Sequence, residues 1–295
     1  MTEKLSVFGG SGFIGSKFCE LYSDKVIKID RESRSSQTNE ILYFISTVDN
    51  YNIHTDIRVD VNTNIGILLD VLDNLSLEEK QNITFNFISS WFVYGKNNEI
   101  PFREDYSKCN PTGFYSITKH CAEQLLISFC QTHDINYRIF RLSNVIGEGD
   151  EKISKKKNAL QFLIKELVEN RDVHLYYGGE VLRDYMYVDD VCRAINFCID
   201  NAPKNEIINI GSGRPHRFLD LINHAKAYSG SKSKIIKMNP TKFHDIVQVR
   251  HSYLDTSKLN SYGFSSNFSI EDSIEKIVDF YKNKKIKSDD FMMTL

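Results

Sequence analysis

Ten residues near the N-terminus, VFGGSGFIGS (7–16), leave the chain few ways to fold. The apolar run KLSVFG before them reads as a strand, and the amphipathic run over 13–23 reads as a helix. Gly9, Gly12 and Gly15 recur at every third position between the two. Glycine meets three needs there. One allows the tight turn, one lets backbone approach a pyrophosphate, and one lets helix and strand pack closely. The helix N-terminus then faces the anion. A glycine pattern alone marks many ordinary turns. At the head of a strand–helix run it predicts a dinucleotide site at Gly9, Gly12, Phe13, Ile14 and Gly15.

The rest of the first half keeps that alternation. VIKID (26–30), ILYFIS (41–46), ITFNFIS (83–89) and YRIFRL (137–142) read as strands, and 61–75 and 114–133 as helices. Apolar runs each followed by an amphipathic helix predict an α/β fold with a Rossmann-type, doubly wound parallel sheet. After about residue 148 the pattern is irregular. It offers helices at 158–170, 217–229 and 269–283 among short strands. The expected division is a cofactor-binding domain over 1–148, a small substrate lobe over 149–286 with segments returning to the sheet, and a loose tail over 287–295.

Composition narrows the function classes. Net charge is −2 over 295 residues, so no broad basic surface points to nucleic acid, and KKK at 155–157 reads as a solvated loop. Six cysteines show neither CxxC nor metal-ligand spacing. They read as reduced thiols, which predicts a cytoplasmic protein and no metal. No signal peptide or twenty-residue apolar run appears, so no membrane partner is expected.

Asp30 ends the second strand, where an acid binds the adenosine ribose of NAD. Arg31 and Arg34 follow at once, and either would meet the 2′-phosphate of NADP, so both cofactors stay open. Farther on, GFYSITKH sets Tyr115 and Lys119 four apart on one helical face. A phenol titrates near pH 10, and a neighbouring ammonium brings it into working range. Tyr115 then exchanges a proton with a substrate hydroxyl or carbonyl. Ser90, closing a central strand, is placed to hold the same oxygen, while Ser89 reads as its buried neighbour.

Together these segments resemble the extended short-chain dehydrogenase/reductase family, in its nucleotide-sugar epimerase, dehydratase and reductase branch. GGSGFIG resembles the cofactor turn, with Phe8 where threonine is common. SSWFVYG is similar to S-S-x-x-V-Y-G, FYSITKHCAEQ to Y-x-x-x-K-x-x-x-E, RLSNVIGEGD to R-x-x-N-x-x-G, and YYGGEVLRDYMYVDDV to G-x-x-x-R-D-[FY]-x-x-V-x-D. The resemblance implies catalytic Ser90, Tyr115 and Lys119. It adds Ser46 and Asn62, from VNTN, to the cofactor-binding residues, with Lys119 on the nicotinamide ribose. It assigns a nucleotide-diphosphate sugar to Ser90, Trp91, Asn144, Asn158, Tyr177 and Arg183, and a homodimer built on the long helices, including 114–133.

Three departures shape the implied reaction. In 4,6-dehydratases of this family an acidic pair follows the catalytic Ser/Thr. Here Trp91 and Phe92 stand there, and neither carries a proton. The implied activity is therefore hydride transfer at hexose C4, as a 4-ketoreductase or 4-epimerase, ahead of a 4,6-dehydratase or a non-catalytic NAD(P)-sensing protein. Between Asp30 and residue 41 only RESRSSQTNE remains, too short for the usual βα unit, so the sheet should lack an outer strand. The R-P-G-D element is absent, leaving Arg250, with His244 and Lys242 behind it, as the candidate diphosphate ligand.

Overall fold

The computed structural model describes residues 4–75, 82–96, 99–150, 153–154 and 157–293. Strand β1 (Leu5–Phe8) runs through the glycine turn into helix α1 (Phe13–Leu21), followed by β2 (Val26–Lys28) and β3 (Glu40–Tyr43). Helices α2 (Val59–Val61) and α3 (Ile67–Asp73) flank a π-helical turn at Asn62–Gly66. Strand β4 (Thr84–Ser90), helix α4 (Phe114–Thr132) and β5 (Asn136–Leu142) complete the first half. Then come β6 (Asn144–Ile146), α5 (Ala159–Val168), β7 (Val173–Tyr176), β8 (Leu182–Arg183), β9 (Tyr185–Tyr187) and α6 (Val188–Asn201). The chain closes with β10 (Glu206–Ile210), β11 (His216–Arg217), α7 (Phe218–Ser229), β12 (Ile235–Met238), α8 (Lys242–Val247), α9 (Ser257–Ser261) and α10 (Ile270–Met293).

Six strands form the parallel sheet, in the order β2-β1-β3-β4-β5-β10. The order reverses between β1 and β3, where open α/β sheets bind ligands. Both faces are covered, which explains why β4 is buried over Thr84–Ser89 rather than alternating. One face packs Phe85, Phe87 and Ile139 against Leu68, Val71 and Leu126 of α3 and α4. The other packs Val7, Leu42 and Phe140 against Phe18 of α1 and Val191 and Ile195 of α6. A third cluster joins α5, α7 and α10 through Leu160, Ile164, Ile222 and Ile274, over the β7–β12 pair. It lies in the part of the chain after residue 146, beside the sheet to which β10 returns.

The expected loss of an outer strand holds. Residues 29–39 contain no helix or strand, and β2 is the sheet edge. Two expectations need correction. The helix expected over 61–75 starts at Val59 and is interrupted by the π turn, a feature frequent at functional sites. The tail is helical through Met293, because KSDDFMM contains neither glycine nor proline to stop α10. Lys155 and Lys156 lie outside the described residues, while Lys157 reaches Asp150 at 2.9 Å.

Candidate active site

The glycine turn has the shape its spacing demands. Gly9 takes φ +76°, and Gly12 N–H donates to Gly9 O at 3.0 Å. A Cβ on Gly15 would lie 2.4 Å from Gly9 O and 3.1 Å from Gly10 Cα. Only glycine lets α1 start this close to β1. The first turn of α1 has no side-chain cap and no acidic residue, so its amide groups remain open to an anion.

Helix α4 packs on β4 so that Tyr115 comes beside the end of that strand. Tyr115 is buried, and its phenol meets the hydroxyls of Ser90 and Ser46. Burial pushes the phenol pKa up, and those two hydroxyls pull it down. One turn on, Lys119 is 2% exposed, with Nζ 4.1 Å from the Phe87 ring centroid. Burial drives its pKa down to about 7, partly opposed by the Glu123 carboxylate. Nζ has no hydrogen-bond partner among the described residues. In sequence, Lys119 was the group expected to lower Tyr115. In this arrangement the two serine hydroxyls act on the phenol directly, and the lysine points to a position awaiting a polar partner.

Asn64 organises this corner, and the sequence reading missed it. Its Oδ1 accepts from Ser46 Oγ (3.1 Å) and Thr47 N–H (2.8 Å), and its Nδ2 donates to Thr47 Oγ1 and Thr118 Oγ1 (2.9 Å each). Thr118 lies between Tyr115 and Lys119, so the amide fixes the end of β3 to the helix carrying both. The expected Asn62 is a correction. It is exposed on α2's end, and within the π turn it is Asn64 that faces inward. The signal was the second asparagine of VNTN.

Beyond Ser90, Trp91 and Phe92 stack at 4.0 Å and 24°, and Phe92 meets the Tyr115 ring edge-on at 6.1 Å. Trp91 is also 4% exposed, packed with Tyr94, Phe102, Val249 and Leu254. It therefore closes a small core and lines the site at once.

Ser90, Trp91, Tyr115 and Lys119 line one cavity of about 1200 Å³ with Gly9, Gly12, Phe13, Ile14, Gly15 and Ser46. Asn144, Asn158, Tyr177, Arg183 and Arg250 line its other end. Asn144 is anchored through Nδ2 to Asp184 O (2.9 Å), and Asn158 at φ +55° through Nδ2 to Val145 O (3.1 Å). Arg183 donates to the carbonyls of Leu182, Val249 and Arg250 at 2.8–2.9 Å and lies 5.8 Å from the Trp91 ring centroid. Burial lowers its pKa, and no carboxylate pairs with it among the described residues. Arg250, exposed, lies 5.4 Å from the Tyr177 ring centroid. The carboxylates lining the cavity among the described residues are Asp150, held by Lys157, and Asp245, which accepts from Tyr177.

Asp30 and Arg31 are not among the residues lining this cavity. The strand stops at Lys28, and Asp30 Oδ1 instead accepts from Glu32 N–H at 3.2 Å. A further element was not foreseen. Helix α8 lies against the 47–58 loop, with His244 Nδ1 2.9 Å from Tyr51 Oη and Phe243 edge-on to His54 at 4.3 Å. Among the described residues there is no group of metal ligands, and no helix long and apolar enough to cross a membrane.

A family model described as the NAD dependent epimerase/dehydratase family matches residues 40–211, more than half of the chain. A putative UDP-glucose 4-epimerase of Methanocaldococcus jannaschii is 26% identical over 94% of this chain and 98% of its own length. Among solved structures, the UDP-glucose 4-epimerase of Thermotoga maritima, crystallised with UDP-glucose, superposes with a TM-score of 0.85 at 23% identity, covering 96% of this chain and 99% of that one. RMD from Pseudomonas aeruginosa, complexed with NADPH, gives 0.82 at 18% identity, covering 96% and 100%. At these identities the structural matches show the fold.

Proposed function

The chain belongs to the NAD dependent epimerase/dehydratase family, and we propose that it is a nucleotide-sugar enzyme working at hexose C4, in the first place a 4-epimerase. The observation that carries this reading is the meeting of Ser90, Tyr115 and the unpartnered Lys119 in one cavity with the glycine turn. The residues fit a nicotinamide dinucleotide. The Gly9–Gly15 cradle admits backbone-close phosphates, and the orphaned Lys119 ammonium matches ribose hydroxyls. When bound, that cofactor supplies reversible hydride exchange. Tyr115 moves the proton at the substrate O4, Ser90 holds that oxygen, and Lys119 stabilises the phenolate once the ribose orders its ammonium. Arg183, a half-buried cation whose hydrogen-bond partners among the described residues are carbonyls, takes the diphosphate, with Arg250 at the rim. Asn144, just before a lobe that begins near residue 149, and Asn158 and Tyr177 within it border the nucleotide half.

The relatives named as 4-epimerases support this reading. The Trp91–Phe92 wall argues against elimination, since the residues beside Tyr115 that would shuttle protons are aromatic. A second reading, a 4-ketoreductase with NAD(P)H as co-substrate, is favoured by the edge position of β2, which leaves the adenosine end thinly covered. Exposed Ile57, Val61, Leu69 and Ile117 around α2, α3 and α4 support a homodimer through these helices. Six free cysteines support a reducing, cytoplasmic setting.

Denaturing the purified protein and identifying the released nucleotide separates the two readings. Near-stoichiometric NAD supports the epimerase, and an empty protein that binds added NADH or NADPH supports the reductase. Tyr115→Phe should abolish turnover of UDP-hexoses and 4-keto sugars while cofactor binding persists. Retained full activity would refute the assignment.

A further inference from the structure

Two segments that the proposed reaction does not use meet across the cavity. Val48, Asn50 and Tyr51 line it from the loop between β3 and α2, and His244, Asp245 and Gln248 line it from α8 and the residue after it. The two sets are joined. The Tyr51 hydroxyl lies 2.9 Å from His244 Nδ1. The Phe243 ring stands edge-on to Tyr51 at 5.1 Å and to His54 at 4.3 Å. Burial and the Arg183 and Lys96 cations lower the His244 pKa against the pull of Asp245, so near neutral pH the ring is uncharged. Burial also pushes the Tyr51 phenol up to about 12. A neutral phenol then donates to a neutral imidazole nitrogen.

Helix α8 is a single layer between the cavity and solvent. Asp245 and Ile246 are exposed, while His244 and Gln248 line the cavity. The C-terminal end is fixed, because Val247 is buried and Val249 packs with Trp91, Tyr94, Phe102 and Leu254. The rest is held by polar contacts near the surface. Thr112 Oγ1 donates to Ile246 O at 2.8 Å, Lys96 to Asp245 O, and Tyr177 to the Asp245 carboxylate. On the facing side, no residue of 51–58 is buried. A junction held by few contacts, without buried apolar residues on the loop, opens at lower cost than the core. Arg250 follows α8 by three residues and Tyr177 is bonded to it, so this roof borders the end of the cavity assigned to the diphosphate.

We propose that α8 and the 47–58 loop form a latched roof, with the Tyr51–His244 hydrogen bond as its catch, and that the roof parts each time a nucleoside diphosphate or its sugar ester enters or leaves. The identity of that ligand rests on the nucleotide-sugar reading above. The catch joins residues 193 apart, one on each side of the cavity, so it breaks without disturbing the sheet. A catch on the route of entry and exit scales both rates by the fraction of time the roof is open and leaves the equilibrium constant alone. A residue that grips the ligand acts instead on dissociation, and so on Kd.

The test is stopped-flow binding of UDP, dTDP, GDP and CDP to the full chain, followed through Trp91, the chain's only tryptophan and a cavity residue. Rates are compared for whichever nucleotide binds the wild type. Tyr51→Phe removes only the donating hydroxyl. Its association and dissociation rates should both rise about 2- to 10-fold, with Kd changed by less than about twofold. Phe243→Ala loses the ring contacts with Tyr51 and His54 and should move both rates in the same direction. Should Phe243→Ala not fold, Tyr51→Phe decides alone. Unchanged rates in Tyr51→Phe overturn the proposal. So does a Kd that rises through dissociation alone, since Tyr51 would then be a ligand contact. Either result leaves the nucleotide-sugar reading standing. A wild type that binds none of these nucleotides overturns that reading, and the proposal with it.

Discussion

Lys119→Met should stabilise the cofactor-stripped protein and at the same time cost it the dinucleotide. The ammonium is 2% exposed, faces Phe87 and finds no hydrogen-bond partner among the described residues, and its pKa falls from 10.5 to about 7. Because the folded value is the lower one, the folded protein gives up a proton that the unfolded chain keeps between pH 7 and 10.5. The burial penalty is therefore complete below pH 7 and is relieved as pH rises. At pH 7 it amounts to at most about 4 kcal/mol. A polarisable interior reduces that figure, and losing the contact with Phe87 offsets roughly another 1 kcal/mol. Methionine, similar in length and apolar, should then gain about 1–3 kcal/mol, a rise in Tm of roughly 2–6 °C. By pH 9 about 2 kcal/mol of the wild-type penalty has gone, so the gap between the two proteins should narrow. Scanning calorimetry of both at pH 7 and pH 9, with and without NADH, measures all of this. NADH should raise the Tm of the wild type alone. A variant less stable than wild type at pH 7, or a gap that does not shrink by pH 9, would refute the view of Lys119 as a buried charge held ready for the cofactor.

Gly15→Ala should weaken NADH binding. Its Cβ would meet Gly9 O at 2.4 Å, and shifting that backbone costs about 1–3 kcal/mol, or roughly 5- to 150-fold in Kd by fluorescence titration. Glu123→Gln strands the buried Arg141 guanidinium and should cost about 3–5 kcal/mol in denaturant unfolding at pH 7. The wild-type carboxyl, held at about 2 when folded, contributes stability above about pH 4.5 that is lost as pH falls towards 2; the variant's stability should be flatter across that window. Arg183→Met should raise the KM for a nucleotide sugar about 10- to 100-fold, the range of hydrogen bonds to a charged group, while NADH affinity stays unchanged. Equal loss of both affinities would point to a collapsed cleft rather than a lost diphosphate contact.

The readings whose geometry the structure reproduces rest on spacing along the chain. The glycine turn and the Tyr115–Lys119 pair depend on residues three or four apart, whose geometry a helix or tight turn dictates. So does the missing outer strand, since ten residues cannot span a βα unit. The readings that failed depend on where an element stops or how it is wound. The strand expected over 26–30 stops at Lys28, and a π turn brings Asn64 inward where the resemblance implied Asn62. The Tyr51–His244 contact spans 193 residues and has no local signature.

The edge position of β2 also bears on how the cofactor is held. In a sheet with a further strand and helix, the adenosine half of a dinucleotide is covered from that side. Here β2 has three residues and, among the described residues, no strand pairs with its outer edge, and polar groups that follow make contacts of their own. Asp30 caps the turn at Glu32, and Arg34 donates to the carbonyls of Arg31 and Ser33 and lies 3.6 Å from Asp70. Arg34 in particular cannot turn to a ribose phosphate without giving up those contacts. On the proposed site, affinity would come mainly from the two deep features, the glycine turn and the Lys119 ammonium. A grip confined to phosphate and nicotinamide ribose favours faster exchange than one spread along the whole dinucleotide. On the proposed site, retention of the cofactor depends on the same buried lysine whose burial penalises the empty protein, so an enzyme of this design would gain in stability whenever its cofactor is bound.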